Sequence, residues 1–172
     1  GHLAVQMAKK QGLHVTAAVS SKEKGAIAKQ LGADHLFYYK EESLETVVDD
    51  VTNGQGFDIV FDPVGDDHLQ QSFQAVKPNG QVVTTSSRST QDLSLMHGKA
   101  LSLHVVFMLL PLLQNKHREH HHDILHTLSK WVEEGAITPV LDKQTFSFDT
   151  IAEAHRYVAS KQAIGKVVLT QK

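Results

Sequence analysis

Residues 1–24, GHLAVQMAKKQGLHVTAAVSSKEK, are compatible with very few folds. Leu3, Ala4, Met7 and Ala8 recur at helical spacing, and Gly12 supplies a stop after the last turn. Residues 13–19 form a short, mostly apolar run with β-branched members, the composition of a strand covered on both faces. Ser20 and Glu23 then stand in capping-box register, so the spacing predicts a second helix opening at once. Helix, buried strand, sharp turn and helix is the repeating unit of a doubly wound α/β sheet. Ligands of such sheets sit beyond the carboxyl ends of the strands. Ser20, Ser21 and Lys24, directly after the strand, are therefore the first candidate binding residues.

The alternation continues downstream. The pattern predicts a helix over 20–31 closed by Gly32, a strand over 35–39, and a helix capped by Ser43 with Val47, Val48 and Val51 inward. Residues 57–61 are the strongest strand signal and lead into the loop 62–65. A helix over 67–76 ends at the turn 77–80, where Pro78 presets one dihedral and Gly80 relaxes another. A strand over 81–85, a polar loop over 86–92, and a strand over 101–107 apolar enough for burial on both faces come next. A His-rich helix over 114–134 is closed by Gly135. The tail carries a strand over 144–148, a helix capped by Thr150 with Glu153, and a strand over 166–170. Strands alternating with helices up to Gly135 argue an α/β protein with a mostly parallel sheet.

At 172 residues there is room for one sizeable core, or for a domain with an appendage. The 17 basic and 19 acidic residues leave a formal charge of −2, which gives no footing for non-specific nucleic-acid binding. The most apolar stretch, 101–113, contains His104 and Pro111 and is too short to span a bilayer. No cysteine is present, which excludes disulfides and thiolate metal sites. The expectation is a cytoplasmic protein without nucleic-acid or membrane partners. Gly1 begins directly in a helical pattern, which predicts a fragment.

The ordered set LGAD at 31–34, FDPVG at 61–65 and GKVVL at 165–169 carries a resemblance, with the GH helix, SSKEK, FYYKEE and VKPNG between. The chain resembles the medium-chain dehydrogenase/reductase superfamily, specifically its zinc-type alcohol dehydrogenase and quinone oxidoreductase branch, over essentially its whole length. The resemblance implies a doubly wound Rossmann-type parallel sheet that lacks its first strand, plus a short C-terminal αβ segment. Residues 1–136 would be the nucleotide-binding domain, truncated at its start, and 137–172 a segment that would rejoin an absent catalytic domain. The family's glycine fingerprint is represented only by its last glycine, Gly1. The catalytic zinc ligands lie in parts absent here, so no zinc site and no catalytic residue is carried over. The implied function is cofactor binding in an NADP(H)-dependent oxidoreductase acting on an alcohol, carbonyl or quinone, the fragment itself being inactive.

Within that frame Gly1 and His2 would flank the pyrophosphate at the amino end of the first helix, where free N–H groups and the dipole favour anions. NAD-preferring sites carry an acid after the second strand to hold the ribose hydroxyls. This chain has Ser20, Ser21 and Lys24 there, which suit the 2′-phosphate of NADP in preference to NAD. Tyr39 matches a tyrosine that relatives place beside that phosphate. Asp62, Val64 and Gly65, and Thr84 and Ser86, follow parallel strands and would line the nicotinamide half, with Phe107 and Met108 near the ring. Ser20 serves equally as a helix cap, and Asp62 as a turn cap.

His117 with His121, and His122 with His126, are four apart and would share a helical face, but the helix offers no third ligand beyond Glu119 or Asp123, so no metal site is assigned. FDIVFDPVG followed by VKPNGQVV also resembles S-adenosylmethionine-dependent methyltransferases, whose ribose-binding acid is missing here. A non-catalytic nucleotide sensor is a further alternative. Two assembly expectations follow: a homodimer extended through strand 101–107, and a filled first-strand position. The position would be filled by upstream sequence or, failing that, by 166–170, since orphaned backbone groups of a buried strand each cost about 1–3 kcal/mol.

Overall fold

The computed structural model of the protein describes residues 1–171, so Lys172, the end of the expected C-terminal segment, lies outside the described residues. Two compact units form. One joins residues 1–36 to 123 onward, and the other spans 37–122.

In the first unit, α1 (His2–Lys10) ends where Gly12 adopts a left-handed φ of 75°. β1 (Thr16–Val19) is shorter than the predicted strand, because Leu13 and His14 are exposed rather than covered. α2 (Lys22–Gln30) starts two residues later than expected and closes at Gly32, as its sequence requires. β2 (His35–Tyr38), whose first two residues close this unit's opening segment, pairs with β1 in a two-stranded sheet.

The second unit is built on α3 (Leu44–Thr52), β3 (Phe57–Asp62), α4 (Asp67–Ala75), β4 (Val76–Thr84), the short α5 (Ser94–Gly98) and β5 (Ser102–Val105). Ser43 caps α3 by accepting from the Thr46 N–H at 3.1 Å, and Val47 is its buried face. The strands run parallel in the order β3-β4-β5. Leu69 and Phe73 of α4 pack on Val76 and Val82 of β4, with Val60, Leu95, Met96, Leu101 and Leu103 around them. That is the α-on-parallel-β packing that the alternating pattern predicts.

β4 begins at Val76 rather than 81. The Lys77–Gly80 turn is an irregularity inside the strand: pairing jumps from Phe57↔Val76 to Ile59↔Gln81, and Asn79 takes φ 61°. The Lys99 ammonium fastens this corner by donating to the carbonyls of Phe73, Gln74 and Val76 at 2.7–3.1 Å. The carbonyls of Phe73 and Gln74 lie in the last turn of α4 and have no intrahelical partner, and that of Val76 opens β4.

Three further expectations are corrected. The 101–107 strand is not covered on both faces: β5 is an edge, and Val105, Val106 and Phe107 are exposed. The His-rich helix is not continuous from 114. Left-handed Asn115 and His117 separate α6 (Leu110–Gln114) from α7 (Arg118–Glu133). Finally, 166–170 fills no first-strand position. Lys166 bridges Leu141, and β7 (Leu169–Thr170) pairs in parallel with β6 (Phe146–Ser147).

Beside that small sheet lies α8 (Ile151–Ala159). Thr150 stands at the N-cap of α8 as expected, but its hydroxyl makes no cap bond to that helix and instead accepts from the Ser147 N–H at 3.0 Å, in the capping box of the 3₁₀ turn that leads into it. Asp142 ties the tail together, accepting from the Gln144 N–H, the Ile164 N–H and the Tyr157 hydroxyl. The two backbone N–H groups hold its carboxyl below the usual carboxylate range. Gln6 of α1 exchanges two hydrogen bonds with the Thr138 backbone, accepting from its N–H at 2.8 Å and donating to its carbonyl at 3.0 Å.

Candidate cofactor-binding site

Both units place predicted residues at the carboxyl ends of strands. After β1, Val19 is buried, and the chain turns through half-buried Ser20 and Ser21 into α2. Ser21, not Ser20, is the N-cap: its extended backbone (φ −161°) sets its Oγ 3.3 Å from the Lys24 N–H. The Ser20–Glu23 capping box is therefore not formed, because the cap lies one residue further along. The Ser20 hydroxyl and the Lys24 ammonium have no partner among the described residues, and no acidic residue stands between β1 and Lys22. Gly1 is exposed at the amino end of α1, and no side chain caps that helix. Burial, the terminal amine and Lys166 hold the His2 imidazole below its usual range.

A cleft of about 640 Å³ in this unit is lined by Lys9, Lys10, Gln30 and Thr138, among others. It sits at the carboxyl ends of α1 and α2, away from Gly1 and Ser21. Its lysines are already engaged, Lys9 with both oxygens of Asp34 and Lys10 with Glu134 and the Trp131 ring.

In the second unit Asp62, Val64, Gly65, Thr84 and Ser86 come together. Asp62 ends β3 buried. Its Oδ1 accepts from the Val64 N–H at 2.8 Å and the Gly65 N–H at 3.0 Å, while its Oδ2 is buried without a partner. Gly65 has φ 78°, and a Cβ there would lie 2.1 Å from the Ser86 carbonyl oxygen. Only glycine fits this approach. Thr84 is fully buried. Its hydroxyl donates to the Ser86 carbonyl and accepts from the Ser86 N–H, both at 3.1 Å. Thr84 thus shapes the loop, and Ser86 is the residue it presents. Tyr39 is exposed after β2 and meets Phe37 edge-on, and Phe107 stands in an exposed apolar run after β5.

Two residues that sequence reasoning missed fasten these loops. Gln91 donates to the Asp66 carbonyl at 3.0 Å and to the Ser89 hydroxyl at 2.7 Å. Gln70 of α4 donates to the Gln91 side-chain oxygen and to the Asp92 carbonyl, both at 2.9 Å. The loop after β4 is thereby tied to the start of α4. Nothing in the spacing of two glutamines 21 positions apart signals such a clamp.

Histidines offer no comparable construction. His117 lies outside α7, so its pairing with His121 on one helical face is not formed. No group of three or more His, Cys, Asp or Glu residues among those described is placed to hold a metal ion. No helix among the described residues is long and apolar enough to cross a membrane.

Parallel strands joined by helices, with polar residues gathered where the strands end, define a doubly wound nucleotide-binding type of α/β domain. The sequence model of the zinc-binding dehydrogenases matches residues 31–169. The chain belongs to that family, within the medium-chain dehydrogenase/reductase superfamily, which removes the methyltransferase alternative. Among curated proteins it is 30% identical to the 2-haloacrylate reductase of a Burkholderia species, over 98% of this chain and 51% of the relative. It is 29% identical to the chloroplastic NADPH-dependent alkenal/one oxidoreductase of Arabidopsis thaliana, over 98% of this chain and 37% of that protein. The crystal structure of an alcohol dehydrogenase superfamily protein from Novosphingobium aromaticivorans superposes with a TM-score of 0.91 at 31% identity, covering all of this chain and 52% of that one. The chain spans about half the length of these relatives, or less.

Proposed function

We propose that the chain is the cofactor-binding part of an NADP(H)-dependent oxidoreductase, working as a cytoplasmic homodimer. Its reaction transfers a hydride between the nicotinamide and an alcohol, a carbonyl, a quinone or an alkene activated by a neighbouring carbonyl. The observation that carries this reading is the turn after β1, where Ser20 and Ser21 stand in place of a carboxylate, with the Lys24 ammonium following beside Glu23 in the first turn of α2. A carboxylate there would repel a 2′-phosphate, whereas Ser20, Ser21 and Lys24 offer donors and one positive charge. The names of the alkenal/one oxidoreductase and the 2-haloacrylate reductase add NADPH and activated alkenes to the reading.

Gly1 would face the pyrophosphate, Tyr39 the adenosine end, and Val64, Gly65, Ser86 and Phe107 the nicotinamide half. Asp62 and Thr84 hold the loops that carry them. The bound cofactor supplies the hydride, and the protein contributes placement and the exclusion of water. The zinc in the family's name does not fit this chain's own donors, since it has no cysteine and no ligand trio among the described residues.

Fluorescence titration with NADPH and NADH tests the reading. NADPH binds the protein more tightly than NADH, and Lys24→Ala weakens NADPH by about 1–3 kcal/mol while leaving NADH nearly unchanged. Equal losses for both cofactors would remove the 2′-phosphate assignment.

A further inference from the structure

The loop after β4 has more chemistry than cofactor placement uses. Thr85, Ser86, Ser87, Ser89 and Thr90 surround one cation, Arg88, which is exposed. No hydrogen bond or salt bridge engages the Arg88 guanidinium among the described residues, and none engages the Ser86 and Ser87 hydroxyls. The acid nearest in sequence is already committed: Asp92 accepts from the Ser94 N–H at 2.8 Å and the Ser94 hydroxyl at 2.6 Å. Those two bonds hold its carboxyl below the usual range.

The loop is also held in place. Thr84 clasps both backbone groups of Ser86, and the Gln70–Gln91 pair anchors the far side at Asp66, Ser89 and Asp92. Ordering a polar surface loop costs conformational entropy. Here buried and half-buried side chains meet that cost, while the donors at its tip stay unpaired. Unpaired donors on a pre-ordered loop at the carboxyl edge of a parallel sheet are placed to receive an acceptor.

We propose that the 86–90 loop recognises a carboxylate on the substrate, with Arg88 as the specificity-determining residue and the Ser86 and Ser87 hydroxyls as supporting donors. Gln70 and Gln91 are positioning residues that keep the loop aimed. The choice of carboxylate follows from charge and shape. One planar guanidinium matches one carboxylate in a two-bond fork, whereas a phosphate dianion calls for more positive charge than this loop holds. The inference rests on the oxidoreductase reading for the word substrate, but the loop's anion preference is measurable by itself.

The test is an NMR titration of the ¹⁵N-labelled protein with 2-chloroacrylate, its methyl ester and inorganic phosphate, following the Ser86–Thr90 amides and the Arg88 Nε–H. The carboxylate is expected to shift these signals and the ester to leave them in place. Arg88→Gln should weaken carboxylate binding about tenfold or more, and Arg88→Lys by less, because the charge remains while the fork is lost. Gln91→Ala should broaden the loop amides and weaken carboxylate binding with Arg88 intact. NADPH affinity should be unchanged in Arg88→Gln, which also reports that the variant is folded. The proposal is overturned if 2-chloroacrylate binds Arg88→Gln as well as the wild type, if no carboxylate shifts the loop, or if phosphate binds there more tightly. A wild type that binds the carboxylate but not NADPH would instead sink the oxidoreductase reading.

Discussion

Gly65 shows how a single residue can govern two loops. Its φ of 78° is strained for any side chain, and the space a Cβ would need is taken by the Ser86 carbonyl. Asp62 holds the same turn from inside by accepting from the Gly65 N–H, and Thr84 holds Ser86 from the other side. Gly65→Ala must therefore move the Ser86 loop or unseat the turn. An unfolding free energy lower by about 1–3 kcal/mol is expected, read as a lower urea midpoint with an unchanged slope. A variant as stable as the wild type would mean that the two loops do not press on each other. Residues that look like ligand contacts in the sequence thus divide into two kinds. Asp62 and Thr84 are buried and hold backbone, while Ser86, Val64, Ser20 and Lys24 keep side-chain surface that a ligand can reach.

Elements are fastened by ion pairs and amide clasps that local patterns do not encode. Lys9 on α1 donates to both oxygens of Asp34, which also accepts from the Val15 N–H at 2.7 Å at the entry to β1. The Lys9 bond first, then the Val15 N–H, holds the Asp34 carboxyl at about 2. A folded value below the unfolded one of about 3.9 makes this a stabilising contribution present above about pH 4. It is lost as pH falls from there toward about 2. Lys9→Met should therefore be less stable than the wild type at pH 6, with the gap closing between pH 4 and pH 2.5. Urea midpoints at four pH values read this directly, and a gap constant with pH would refute the Lys9–Asp34 linkage. LGAD was legible as a motif, but the partner of its aspartate lies 25 residues back on another element. Strong periodicity and caps made α3, α4, β3 and the Gly12 and Gly32 stops readable. What failed was continuity: the left-handed Asn115 and His117 interrupt the His-rich helix, because apolar spacing says nothing of backbone dihedrals. Pairing partners failed likewise, since β-branched composition makes 166–170 a strand without saying that Leu141 and β6 receive it.

At the scale of the whole molecule, β5 is the strand through which the proposed homodimer would form. It is the outer strand of the β3-β4-β5 sheet, and an apolar run continues from it in which Val105 is 53% exposed, Met108 63% and Leu113 73%. An edge that is both unpaired and apolar is a template for another strand, and proteins that leave it so use it for assembly. The pairing geometry says which groups are available. The Val106 N–H donates to the Thr84 carbonyl, so the backbone of Val106 and, two residues back, of His104 faces β4. In a strand the intervening residue points its N–H and carbonyl the other way, so those of Val105 face the open edge. A twofold mate of β5 would meet them antiparallel and join two three-stranded sheets into one of six. Val105→Pro removes that outward donor, leaves the β4 ladder whole, and suits the φ of an edge strand. The wild type should sediment as a dimer at micromolar concentration and Val105→Pro as a monomer with unchanged far-ultraviolet circular dichroism. A lysine at Val106 is the complementary change, because it leaves the outward backbone intact and charges the apolar face instead. If the ladder rather than the apolar surface drives assembly, Val106→Lys weakens the dimer less than Val105→Pro does. A monomeric wild type under these conditions would end the proposal that β5 joins the two copies.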